Sequence, residues 1–180
     1  AERGVLVLVD EAYFPFCSVT SAPLVRQYAN LIVTRTFSKI FGLAGVRVGF
    51  ALGNRDLIVS LDSVKGASEV NALGLKAACW LIDNTDVVKA HHADLERGRQ
   101  ILLGFAAQRG WNTPPCPVNF QLIQPPEGVD PQSIVQGLAA RKIAVKGGFQ
   151  HPSVTGYIRI TLCGEAMMEH VVAALGEIHQ

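Results

Sequence analysis

The chain has 180 residues, 49% apolar and 17% charged, enough hydrophobic material for one ordinary domain or two small ones. Its formal net charge of +1, with Lys and Arg scattered, argues against a nucleic-acid or membrane-surface footprint. No apolar run is long enough to span a bilayer and no opening segment reads as a secretion signal. Cys17, Cys79, Cys116 and Cys163 contain no C-x-x-C pair, so zinc-ribbon and thioredoxin-like readings lack support and a reducing cytoplasm is the default. Cys17 and Cys79 have apolar neighbours and are expected as small buried hydrophobes.

The chain opens AERG, without a methionine, and drops at once into an apolar run, so we expect a C-terminal piece of a longer protein. Residues 5–9 (VLVLV) are β-branched and apolar and end at Asp10, the pattern of a buried parallel strand. Residues 23–28 leave room for a short helix, and residues 31–35 (LIVTR) form a second strand, which favours a βαβ unit in a layered α/β sheet. A third strand is expected over residues 46–51 (VRVGFA), before a turn at Gly53 and Asn54. In such sheets ligand groups gather at the carboxyl ends of the strands, where Asp10 and Lys39 both fall.

Downstream the hydrophobic period becomes helical over residues 56–64 and 72–82. Asn84, Thr85 and Asp86 offer caps for a long helix to Gln108, closed by Gly110. After Pro114, Pro115 and Pro117 come a strand (120–123), a helix (131–141), strands at 143–146 and 157–162, and a final helix (165–178), the makings of a small α/β domain. A boundary near Asp86 divides the chain into residues 1–86 and 87–180. On the long helix, adjacent His91 and His92 point about 100° apart and cannot share an ion from one face. His91 and Asp94 share a face, and a solvated surface explains that pair without a metal.

The stretch TRTFSKIFGLAGVRVG (residues 34–49) carries the chemistry. Lys39, in an apolar segment, is either a solvated loop lysine or a partly desolvated amine suited to forming a Schiff base. Thr36 and Ser38 supply hydroxyls, and Arg47 supplies a fork suited to phosphate oxygens. Gly42, Gly45 and Gly49 follow the lysine, whereas a Walker loop places its glycines before it, and no G-x-G-x-x-G is present. Asp10 reads as a cation-pairing carboxylate or a turn cap, and Tyr13 as a hydrogen-bond donor or a packed core phenol. In YIRIT, Arg159 projects from the face opposite Ile158 and Ile160 and requires an anion, from substrate or from a structural salt bridge.

Together, VDEAYFPF (residues 9–16), RTFSKIFGLAGVRVGF (35–50), VNALGLKAA (70–78), VNF (118–120) and KIAVKGGFQHPSVTGYIRIT (142–161) resemble the pyridoxal-phosphate aminotransferases of the aspartate-aminotransferase superfamily, closest to the histidinol-phosphate aminotransferase branch. The resemblance implies the fold type I architecture: the C-terminal part of a large α/β/α domain plus a small C-terminal α/β domain. It implies that Lys39 forms the Schiff base with pyridoxal 5′-phosphate and moves a substrate proton. Asp10 then pairs with the pyridine nitrogen, Tyr13 bonds the ring's phenolic oxygen, Thr36, Ser38 and Arg47 hold the phosphate, and Arg159 takes the substrate α-carboxylate. It also implies transamination in histidine biosynthesis with glutamate and 2-oxoglutarate, a cytoplasmic homodimer, and no metal, nucleic acid or membrane. An aromatic aminotransferase, a threonine-phosphate decarboxylase relative and a non-catalytic truncated binding module are the alternatives. Relatives carry further cofactor contacts upstream of Ala1, so this chain alone is expected to be incomplete. Lys146 stands where relatives often have arginine, which puts a contact to a distal substrate phosphate in question.

Overall fold

The computed structural model describes residues 3–66 and 69–178, which fall into two compact units divided between Lys89 and Ala90. In the first unit, strands β1 (Val7–Asp10), β2 (Leu31–Thr36) and β3 (Gly49–Gly53) form a sheet in the order β1-β2-β3. β1 runs parallel to β2, with Asp10 opposite Thr34, and β3 runs antiparallel to β2, with Gly49 opposite Thr36. A 3₁₀ turn (Ala22–Arg26), opened by Pro23, makes the crossover between the parallel strands. Leu31, Ile32 and Val33 are buried because β2 is the central strand.

β1 departs from the buried strand expected of VLVLV. Val5 is 63% and Leu8 62% exposed, because β1 is the edge of the described sheet and nothing among the described residues covers its outer face. The third strand also begins later than expected. Ala44–Val46 wind into a 3₁₀ turn and Arg47 adopts a left-handed conformation, so pairing with β2 starts only at Gly49.

Helix α1 (Arg55–Val64) is capped by Asn54, whose side chain accepts from the Asp56 N–H, and α2 (Ala72–Asp83) is capped by Asn71 onto Gly74. α2 packs Ala78 against Phe37 and Val48, but turns Leu73 and Trp80 outward. Cys79 lies on that outward surface and is exposed, and Cys17 is only half-buried, so neither is the buried hydrophobe its neighbours suggested. Helix α3 (Thr85–Gln108) is the long helix expected, and Gly110 beyond it takes φ +66°.

In the second unit, β4 (Phe120–Ile123) pairs antiparallel with β5 (Ile158–Thr161), and α4 (Pro131–Ala140) and α5 (Glu165–Ile178) bring Ile134, Leu138, Met168 and Leu175 to a core shared with Leu102 of α3 and Ile123, Ile158 and Ile160 of the strands. Arg99 fastens the proline-rich approach to β4, donating to the carbonyls of Cys116 (2.7 Å) and Val118 (2.5 Å) and to Gln121 Oε1 (3.2 Å). The strand expected at residues 143–146 shrinks to one bridge, Lys146 to Arg159. Left-handed Lys142 (φ +63°) and Gly148 (φ +67°) bracket the segment and leave only one residue aligned for pairing.

Candidate active site

Parallel pairing puts the carboxyl ends of β1 and β2 on one side of the sheet, and the expected site residues of the first unit gather there. Asp10 ends β1. Its Oδ1 accepts from the Ala12 N–H (3.0 Å) and from the Thr34 hydroxyl (3.4 Å), so it does cap the turn, with one oxygen only. No cation lies within ion-pair distance of it among the described residues.

Lys39 follows the end of β2 by three residues, in a loop built from apolar anchors. Phe37 and Ile40, on either side, are buried. The Phe37 ring packs against Phe41 (4.7 Å between centroids) and Phe50 (5.8 Å). The Phe37 N–H donates to Val48 O (3.0 Å), the Leu43 N–H to Phe37 O (2.9 Å), and the Gly42 N–H to Lys39 O (3.0 Å) with Gly42 at φ +71°. This closed loop holds Lys39 half-buried, with no carboxylate in ion-pair distance and no side-chain hydrogen bond among the described residues. Its Nζ lies 5.4 Å from the centre of the Tyr13 ring.

Ser38 and Arg47 meet across the loop, Arg47 Nη1 donating to Ser38 Oγ (3.4 Å) and to Ala44 O (3.2 Å). Both contacts are long, and the guanidinium is exposed, so most of its donors remain available. Arg47 sits at φ 57°, ψ 48°, a left-handed conformation that costs a residue with a Cβ about 1–2 kcal/mol. Thr36 lies at the base of the same loop. Its hydroxyl accepts from the Ser38 N–H (3.0 Å) and donates to Val48 O (3.4 Å), which braces the lysine loop.

Two supports were not anticipated. Asn71 ties α2 to the loop, its Nδ2 donating to Val46 O (2.9 Å), and Gly74 beside it is the close-approach point. A Cβ there would stand 2.9 Å from Val46 Cβ and 3.0 Å from Val48 Cγ2. The second is an ion pair, buried Glu11 with half-buried Arg35. Arg35 donates from Nε (3.1 Å) and Nη2 (3.0 Å) to Glu11 Oε2. Burial pushes the Glu11 carboxyl upward, but the Ser21 N–H, the Thr20 hydroxyl and the Arg35 guanidinium outweigh it and hold the pKa below its ordinary value. The sequence signal was there: a lone arginine ending an apolar strand (LIVTR), and an acid beside Asp10 that strand alternation turns to the other face.

Arg159 belongs to the second unit. It stands opposite Leu122 on β5, with its guanidinium carbon 5.2 Å from the Phe120 ring centre. Its Nε is buried without a hydrogen-bond partner, and no carboxylate pairs with it among the described residues, so the structural salt bridge is not found there.

A family model described as aminotransferase class I and II matches residues 1–175. This chain belongs to the class I and II aminotransferase family. Among relatives, it is 34% identical over 175 residues to a histidinol-phosphate aminotransferase of Geotalea daltonii, covering 97% of this chain and 50% of that protein. The crystal structure of histidinol-phosphate aminotransferase from Sinorhizobium meliloti in complex with pyridoxal 5′-phosphate superposes with a TM-score of 0.83 at 28% identity, over 96% of this chain and 48% of that one. L-threonine-O-3-phosphate decarboxylase from Porphyromonas gingivalis, at 19% identity and TM-score 0.76 over 96% and 54% of the two chains, shares the fold alone. This aminotransferase-family chain therefore has the fold type I architecture and spans about half the length of the relatives it matches. Among its described residues no helix is long and apolar enough to cross a membrane.

Proposed function

We propose that this protein performs pyridoxal-phosphate-dependent transamination, with histidinol phosphate as amino donor and the glutamate/2-oxoglutarate pair as its counterpart. The observation that supports it best is an unpaired amine at the head of two parallel strands. The Tyr13 ring faces that amine, Lys39; Asp10, with an oxygen to spare, ends the neighbouring strand, and the Ser38–Arg47 pair closes the lysine's own loop. That donor set suits the cofactor: an anion for a protonated ring nitrogen, a fork for a phosphate, and an amine for an aldehyde.

When bound, pyridoxal phosphate supplies an aldehyde that takes up amino groups and an electron-poor ring that accepts the electron pair left at a deprotonated α-carbon. Asp10 would hold a proton on the ring nitrogen through its negative charge, and Tyr13 would donate to the phenolic oxygen. Thr36, Ser38 and Arg47 would hold the phosphate, and the Thr36 hydroxyl also braces the loop from within. Lys39 would hold the cofactor through its Nζ amine, and that amine would take the substrate α-proton and return it. Arg159 binds the substrate carboxylate or an equivalent anion. Its unpartnered buried Nε supports that role, because a buried guanidinium nitrogen without an acceptor is unfavourable until an anion supplies one.

Residues 1–86 are proposed as the C-terminal part of the large domain and residues 87–180 as the small domain, in a cytoplasmic homodimer. The test uses the full-length protein with pyridoxal phosphate and borohydride. Reduction should fix the cofactor on the peptide containing Lys39, and Lys39→Ala should abolish that adduct. Equal labelling of both proteins would remove the Schiff-base role. Faster turnover of an aromatic amino acid than of histidinol phosphate would remove the substrate.

A further inference from the structure

The proposed chemistry leaves one charged network of the first unit unused. Glu11, one residue beyond Asp10, has a side chain only 7% exposed. Its carboxylate accepts from the Thr20 hydroxyl (2.8 and 3.1 Å), the Ser21 N–H (2.5 Å) and two nitrogens of Arg35. Arg35 Nη2 also donates to Thr20 Oγ1 (2.8 Å), and its guanidinium carbon lies 3.7 Å above the Phe14 ring. Both ends of the connection after β1 are thereby fastened to β2, the strand that leads into the lysine loop.

Tyr13 lies between two of the fastened residues. On one side is Glu11, whose backbone N–H donates to Thr34 O (2.9 Å); on the other is Phe14, whose N–H donates to Glu11 O (3.0 Å). Residues 12–16 form turns and make no strand pairing among the described residues. A buried ion pair is a weak source of net stability, since desolvation offsets most of its Coulomb gain. What a two-point carboxylate contact and a stacked planar guanidinium do supply is a defined geometry.

We infer that the Glu11–Arg35 pair is a positioning device that holds the Tyr13 ring against the Lys39 amine and keeps Asp10 in register beside it. The part concerning the cofactor rests on the function proposed above; the Tyr13–Lys39 geometry does not. Neither Glu11 nor Arg35 touches the reacting groups, so both act through Tyr13 and Asp10.

Glu11→Gln removes the charge, Arg35→Lys keeps the charge but loses the fork and the stacking plane, and Phe14→Leu removes the plane alone. The first readout needs no cofactor: the nuclear Overhauser contact between the Tyr13 ring and the Lys39 ε-methylene, with the Phe37–Val48 contact as an internal control for folding. In the variants the Tyr13–Lys39 contact should be lost while the control persists. The second readout is pyridoxal phosphate on the full-length protein. Adduct formation at Lys39 should slow about 10- to 100-fold, as for small misplacements of a reacting group, with non-covalent affinity nearly unchanged. A Tyr13–Lys39 contact retained in every variant would overturn the inference. Loss of folding in all three would overturn it too, since the network would then serve stability and not position. A wild-type protein without the Lys39 adduct would remove the proposed function and leave the Overhauser result to decide this inference separately.

Discussion

Replacing Arg47 with glycine should make the protein more stable and worse at binding its cofactor. Arg47 occupies the left-handed region at φ 57°, ψ 48°. The Cβ penalty there is about 1–2 kcal/mol, which glycine relieves. Glycine's larger freedom in the unfolded chain takes back about 0.5–1 kcal/mol. The side chain is exposed and its contacts, 3.2 Å to Ala44 O and 3.4 Å to Ser38 Oγ, are near the limit of a hydrogen bond, so little else is lost. The net expectation is a stabilisation of up to about 1.5 kcal/mol, read as a rise in urea midpoint at unchanged slope. Over the same substitution, losing charge-assisted bonds of about 1.5–3 kcal/mol should weaken pyridoxal phosphate binding by the full-length protein about 10- to 100-fold. Backbone strain kept at a position with no packing role is what a binding function would select. A destabilised Arg47→Gly protein, or one that binds the cofactor as tightly as wild type, would refute the reasoning.

Two further substitutions test the scaffold. Glu11 has a depressed pKa, so its contribution to stability is complete above its ordinary value of 4.5 and fades as pH falls through the lower folded value. Denaturation of wild type and Glu11→Gln between neutral pH and pH 3 should therefore show a stability difference that is constant above about pH 5 and shrinks below it. A difference that grows on acidification would contradict the assigned direction. Gly74→Ala should destabilise the first unit by about 1–2 kcal/mol in urea, since overpacking against rigid Val46 and Val48 outweighs the gain in helix propensity. A stabilised variant would show that α2 can move away from the lysine loop without penalty.

Local pattern settled much of this protein before any tertiary contact was considered. Helices α2, α3 and α5 follow from their apolar periodicity, and β4 from its run of four residues, because these signals act within one or two turns of chain. Asp10 and Lys39 were placed beyond strand ends by the same local reading, and the parallel register of β1 and β2 brings those ends to one side. Other features depend on residues far apart in sequence. Only the fold shows that Thr36 turns its hydroxyl inward to Val48, that Arg47 is left-handed, and that Arg35 finds Glu11, 24 residues away. Burial was the least legible property. Val5, Leu6 and Leu8 of VLVLV and Cys79 read as core, yet they are exposed, because hydrophobicity records what a segment favours while burial depends on which surface covers it.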